Sequence, residues 1–175
     1  LVPMVIPQFA VGLPFDLEVM LRGYPETNFE NIGKVSFLGF GAKIGLNQFI
    51  PLLIPFLPRF SAGYYQTNLT IGTILDASNT ILNLQASKAI PFITVYGGYG
   101  IETSSMDVSY DYEDVSYNYE DGTRTVQNIA FTIDGKNKNR ITAGARFKLG
   151  VLSLNADYSQ GEYTSYNLGL GITLR

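Results

Sequence analysis

The sequence predicts an all-β protein, an antiparallel transmembrane β-barrel of the bacterial outer membrane. Three observations carry that expectation. Period-two alternation runs through nearly the whole chain, and helix signals are almost absent. The polar partner in each alternating pair is usually Gly, Ser, Thr or Asn, with few charges. Long and short connections sort to opposite ends of the strands, apart from the moderately long Pro-rich one at Pro51–Pro58. A soluble barrel or sandwich also alternates, but its polar face meets water and carries Lys and Glu. A small-residue face opposite a nearly unbroken apolar one suits lipid outside and a narrow polar interior. A soluble all-β domain is the alternative.

Taken in order, the first strand lies within VPMVIPQFAVG and ends at the short turn GLPFD. DLEVMLRGY then sets Leu17, Val19 and Leu21 against Glu18, Met20 and Arg22. After PETNFENIG, LGFGAKIGLN sets Leu38, Phe40, Ala42, Ile44 and Leu46 against Gly39, Gly41, Lys43, Gly45 and Asn47. The apolar run FIPLLIPFLP holds three prolines and cannot be one helix. Arg59, Asn83 and Gln85 are read onto the interior side of the strands that follow. PFITVYGGYGIE sets Ile93, Val95, Tyr99 and Ile101 against Thr94, Tyr96, Gly98 and Glu102. RITAGARFKLG places Thr142, Gly144, Arg146 and Lys148 on the polar side, VLSLNADYSQ places Ser153, Asn155 and Asp157 there, and YNLGLGITLR places Asn167, Gly169, Gly171 and Thr173 there.

Placing the C-terminal strand downward makes Leu149–Val151, Ser87–Phe92 and Gly12–Asp16 the periplasmic turns. LPF and IPF recur at Leu13–Phe15, Ile54–Phe56 and Ile90–Phe92, where Pro suits a strand start and Phe an interfacial girdle. The long Ser105–Asn139 region then falls outside the cell. It holds the tandem VSYDYEDVSYNYED, in which Tyr110 and Tyr112 share a face. A repeat of seven switches face, so a turn or bulge is expected near Glu113-Asp114, with VQNIAFTI returning as the partner strand of a hairpin and DGKNKN as a turn. The whole chain, 1–175, reads as one β-barrel domain with the excursion 105–139. About nine strands are visible. A first strand starting outside, and the even strand number of single-chain bacterial barrels, lead to the expectation of a C-terminal portion of a barrel of ten or more strands. A complete small barrel is the alternative.

The last strand resembles the β-signal of bacterial outer-membrane barrels, with Asn167, Gly169, Ile172 and Leu174 at its marked positions and Arg175 where such signals carry an aromatic. That resemblance implies the barrel assembly machinery as a partner during biogenesis. The Pro-Phe turns and GLPFDLEVMLRGYPE resemble an uncharacterised family of outer-membrane barrels of the Bacteroidota, and no functional residues come with that resemblance.

Composition narrows the function. The chain has no Cys and no His, which removes disulfides, thiol chemistry and a Ser-His-Asp triad. Charged residues are 15%, against roughly 25% in average domains. A net charge of −3 argues against nucleic acid. The acids of the tandem lack the spacing of an EF-hand, so no metal or cofactor is expected. Without His, the usual general base of an enzyme is missing, and no enzyme is expected. The expected function is a channel or uptake barrel for small solutes. Its chemistry would lie on the lumen residues Glu18, Arg22, Lys43, Arg59, Asn83, Gln85, Glu102, Arg146, Lys148, Asn155 and Asp157. Opposed charges there either line a wet pore or form a sealed network. The alternative is a non-catalytic structural or accessory subunit of an outer-membrane complex. The expected partners are outer-membrane lipid and other outer-membrane proteins.

Overall fold

The computed structural model describes residues 6–29, 33–49, 57–117 and 124–173. It is an antiparallel sheet curled into a half-barrel. The strands are β1 (Gln8–Leu13), β2 (Leu17–Phe29), β3 (Gly33–Gly45), β4 (Arg59–Ile71), β5 (Leu75–Ile90), β6 (Ile93–Tyr117), β7 (Arg124–Asp134), β8 (Asn139–Leu149), β9 (Leu152–Gln160) and β10 (Thr164–Ile172). Of the ten, β7 stands off the path and pairs β6 alone, which leaves nine running neighbour to neighbour in the order β1-β2-β3-β4-β5-β6-β8-β9-β10. The sequence count of about nine, with a returning hairpin strand beyond it, describes this arrangement. Within the described residues β1 pairs only β2 and β10 pairs only β9.

The connections fall at two ends. The turn end carries Pro14–Asp16, the longer connection between β3 and β4, Pro91-Phe92 and Gly150-Val151. Phe15 and Phe92 are both largely exposed there, and the third Pro-Phe pair, at Pro55-Phe56, lies outside the described residues. The opposite end carries the β6/β7 hairpin. Strand β6 is 25 residues long and changes partner part-way. Its lower part pairs β8, ending at Ile101↔Asn139. Its upper part pairs β7 from Ser105↔Asp134, with a register irregularity between Glu113 and Tyr117. That irregularity is where the seven-residue repeat required one.

Cross-strand register explains how period two becomes two faces. Residues opposite one another in an antiparallel pair point to the same side. Low on the sheet the convex face carries Leu17, Ile44, Ala62, Leu84, Tyr99 and Ile141, which are successive partners across six strands. This apolar face is the exposed one: Leu168 and Leu170 on β10 are 83% and 81% exposed. The polar positions between them are mostly only part-exposed, because they lie on the inside of the curl.

Candidate functional site

The concave face is the candidate site. Its rows can be read from the pairing. One runs Glu18, Lys43, Gly63, Asn83, Gly100, Arg140. Another runs Arg59, Ser87, Tyr96, Gly144, Asp157, Asn167. Gln85 aligns with Gly98 and Thr142, Arg146 with Asn155 and Gly169, and Lys148 with Ser153. Arg22 aligns with Gly39, Thr67, Asn79 and Ser104. The structure therefore puts every sequence-selected interior residue on one side. Of the β-signal positions, Asn167 and Gly169 share that side and Ile172 lies on the convex face, while Leu174 is outside the described residues.

Glycines on this face make room for aromatic rings. A Cβ on Gly41 would run into the Tyr65 ring, and one on Gly144 into the Tyr96 ring. This explains a polar face built so largely of small residues: the Tyr65 and Tyr96 rings lie over the backbone.

The face holds two polar cavities. The one nearer the turn end, about 350 Å³, is lined by Glu18, Lys43, Arg59, Gln85, Tyr96 and Arg146 among others. The other, about 290 Å³, lies against Arg22, Tyr65, Asn83, Arg140, Asp157 and Asn167 among others. Lys43 pairs Glu18 at 3.0 Å. Arg22 donates to Thr67 Oγ1 at 2.7 Å, and no carboxylate pairs it among the described residues. Tyr96 donates to Asp157 at 3.4 Å and Asn167 donates to it at 3.1 Å.

The densest cluster lies at the fork where β6 exchanges β8 for β7. Glu102 is 5% exposed. It accepts from Arg140 Nε at 3.1 Å and Nη2 at 3.0 Å, from Asn79 Nδ2 at 2.7 Å and from Asn137 Nδ2. A buried carboxylate is costly unless paired and hydrogen-bonded, and both oxygens are satisfied here. Asn79 Oδ1 is left buried without a donor among the described residues. Sequence reasoning had Glu102 but missed Arg140, Asn79 and Asn137. For Arg140 a signal existed, because it shares parity with Thr142 and Arg146. For Asn137, in the connection after β7, none did.

Comparison with known proteins identifies the chain at family level. The chain belongs to the DUF6588 family, a family of unknown function. The match to DUF6588 spans residues 1–174, so it covers the entire described sheet. No curated protein and no solved structure matches the chain.

Toward the hairpin end the polarity of the two faces inverts. The convex face there carries Ser36, Thr70, Asp76, Asp107 and Thr132 in one row. The concave face carries Phe37, Leu69, Ala77, Met106 and Ile133 in one row and Val35, Ile71, Leu75, Val108 and Phe131 in the next. Asp107 accepts from Thr132 at 2.6 Å and Asp111 from Asn128 at 2.8 Å on the convex side of the hairpin. Tyr110 of the tandem pairs Ile129 on the other side.

Proposed function

We propose that this protein is an integral outer-membrane β-barrel that passes small solutes through a polar lumen. The observation that carries the reading is the inverted polarity. A sheet in one solvent keeps one phase along its strands. Here the convex face is apolar low down and polar above, as expected of a face that meets lipid and then water. Strand lengths agree: β8, β9 and β10 have 11, 9 and 9 residues, the roughly 9–11 of a tilted transmembrane strand. Strands β3 to β6 continue past the apolar band, and that excess is where the phase reverses. The hairpin end is then extracellular, the turn end periplasmic, and Phe15 and Phe92 belong to an interfacial girdle.

On this reading the concave residues line the lumen, and the barrel has ten or more strands. The edges of β1 and β10 would leave backbone groups unpaired in lipid, at several kcal/mol each, so further strands must close the wall between them. More strands of the same polypeptide are the simplest source. The open edges also favour a second reading, an accessory subunit whose wall is completed by another outer-membrane protein. The mass of the native protein extracted from membranes separates the two.

The test of conduction is reconstitution in planar lipid bilayers. The wild type is expected to give steady single-channel conductance. Arg59→Glu with Arg146→Glu, both at the periplasmic mouth, is expected to shift the reversal potential toward cation selectivity. Folded, inserted protein that stays silent would overturn the channel and leave the accessory subunit. Failure of folded protein to insert would overturn the membrane reading itself.

A further inference from the structure

The two apolar rows inside the hairpin end need an explanation that a polar pore does not supply. Val35 and Phe37, 7% and 9% exposed, are the buried apolar side chains among the described residues, and both are on the concave side. Phe37 bounds a chamber of about 450 Å³ with Leu69, Ala77, Met106 and Ile133. That volume lies within the roughly 300–1,000 Å³ of small-molecule sites. Its floor is the polar row containing Arg22, Thr67 and Asn79. Arg22 also lines the polar cavity below, so it stands where the apolar chamber meets the polar lumen. Glu18 neutralises Lys43 and Glu102 neutralises Arg140, but no carboxylate among the described residues pairs Arg22. A chamber of apolar walls with, at its base, a guanidinium that no carboxylate among the described residues pairs complements an apolar body with an anionic head.

We infer that this chamber binds an anionic amphiphile, with the tail against Phe37, Leu69 and Met106 and the head on Arg22. The inference rests on the barrel reading, since it takes the concave side as the lumen, and it names a solute class for it. Arg22 would hand the head from the chamber to the polar cavity beneath.

The probe is 11-(dansylamino)undecanoate, added to the whole protein in lipid nanodiscs, where no detergent competes. Its fluorescence should rise saturably above that of empty nanodiscs. Decanoate should displace it, and decanol should do so at least about tenfold less well. Arg22→Gln should weaken decanoate by at least about tenfold and leave decanol unchanged, because only the charged head loses its partner. Ala77→Trp, which fills the chamber, should abolish binding of both. Heat-modifiable gel migration reports on the fold of each variant. Absence of saturable binding by folded wild type, or decanol binding as well as decanoate, would overturn the inference and leave the barrel standing. A chamber already filled by the protein's own extracellular loops would give the first of these results. Wild type that does not enter nanodiscs would sink the barrel reading instead.

Discussion

Removing the Glu102 carboxylate is expected to be the most damaging single change on the concave face. Glu102→Ala leaves the Arg140 guanidinium and the amides of Asn79 and Asn137 without their shared acceptor. Breaking a buried ion pair by deleting one partner costs roughly 3–5 kcal/mol. The Arg140 side chain is 30% exposed and regains some hydration, which puts the expected loss at the low end, about 3 kcal/mol. That is roughly a hundredfold in the folding equilibrium. Glu102→Gln keeps one acceptor but turns an amide donor toward other donors, and about 2 kcal/mol is expected. Urea titrations of vesicle-reconstituted protein, followed by circular dichroism, measure these differences. The pair is isolated by Glu102→Leu with Arg140→Leu, which should be more stable than Glu102→Leu alone, because no charge is then left uncompensated. A Glu102→Ala protein within about 0.5 kcal/mol of wild type, or a double variant whose losses simply add, would refute the account of the fork.

Two further outcomes follow from the faces. Leu168→Arg puts a cation at the middle of β10 on the convex side and should cost roughly 2–4 kcal/mol in lipid, whereas Asn167→Arg, one residue away on the concave side beside Asp157, should cost under about 1 kcal/mol. Equal effects in vesicle refolding would show the facing to be wrong. Gly41→Val should displace the Tyr65 ring and destabilise by about 1–3 kcal/mol, and Gly41→Val with Tyr65→Ala should recover part of that loss in the same titration.

Much of the architecture was legible because strand parity is a local property. Leu17, Phe40, Val95, Leu154 and Leu168 could be put on one face, and Lys43, Arg146 and Asp157 on the other, from nearest neighbours alone. The seven-residue tandem even announced its own irregularity, since an odd repeat cannot keep one face. The polarity inversion was half visible. Met106, Val108 and Tyr110 have the parity of Glu102, yet nothing in β6 alone says that Phe37, Leu69 and Ile133 stand beside them.

What the sequence determined by itself is therefore the all-β class, the two faces of each strand and the sorting of the connections. Each depends on backbone geometry of period two and on turn-forming residues a few positions apart. What only the tertiary structure decided is which residues share a row. Arg140 reaches Glu102 across a separation of 38 residues because β6 gives up β8 for β7 at that level. The apolar chamber exists because β3 to β6, each extended past the apolar band, come into register there with β7 of the hairpin. Register is set by the summed pairing of whole strands, and a single strand carries no record of it.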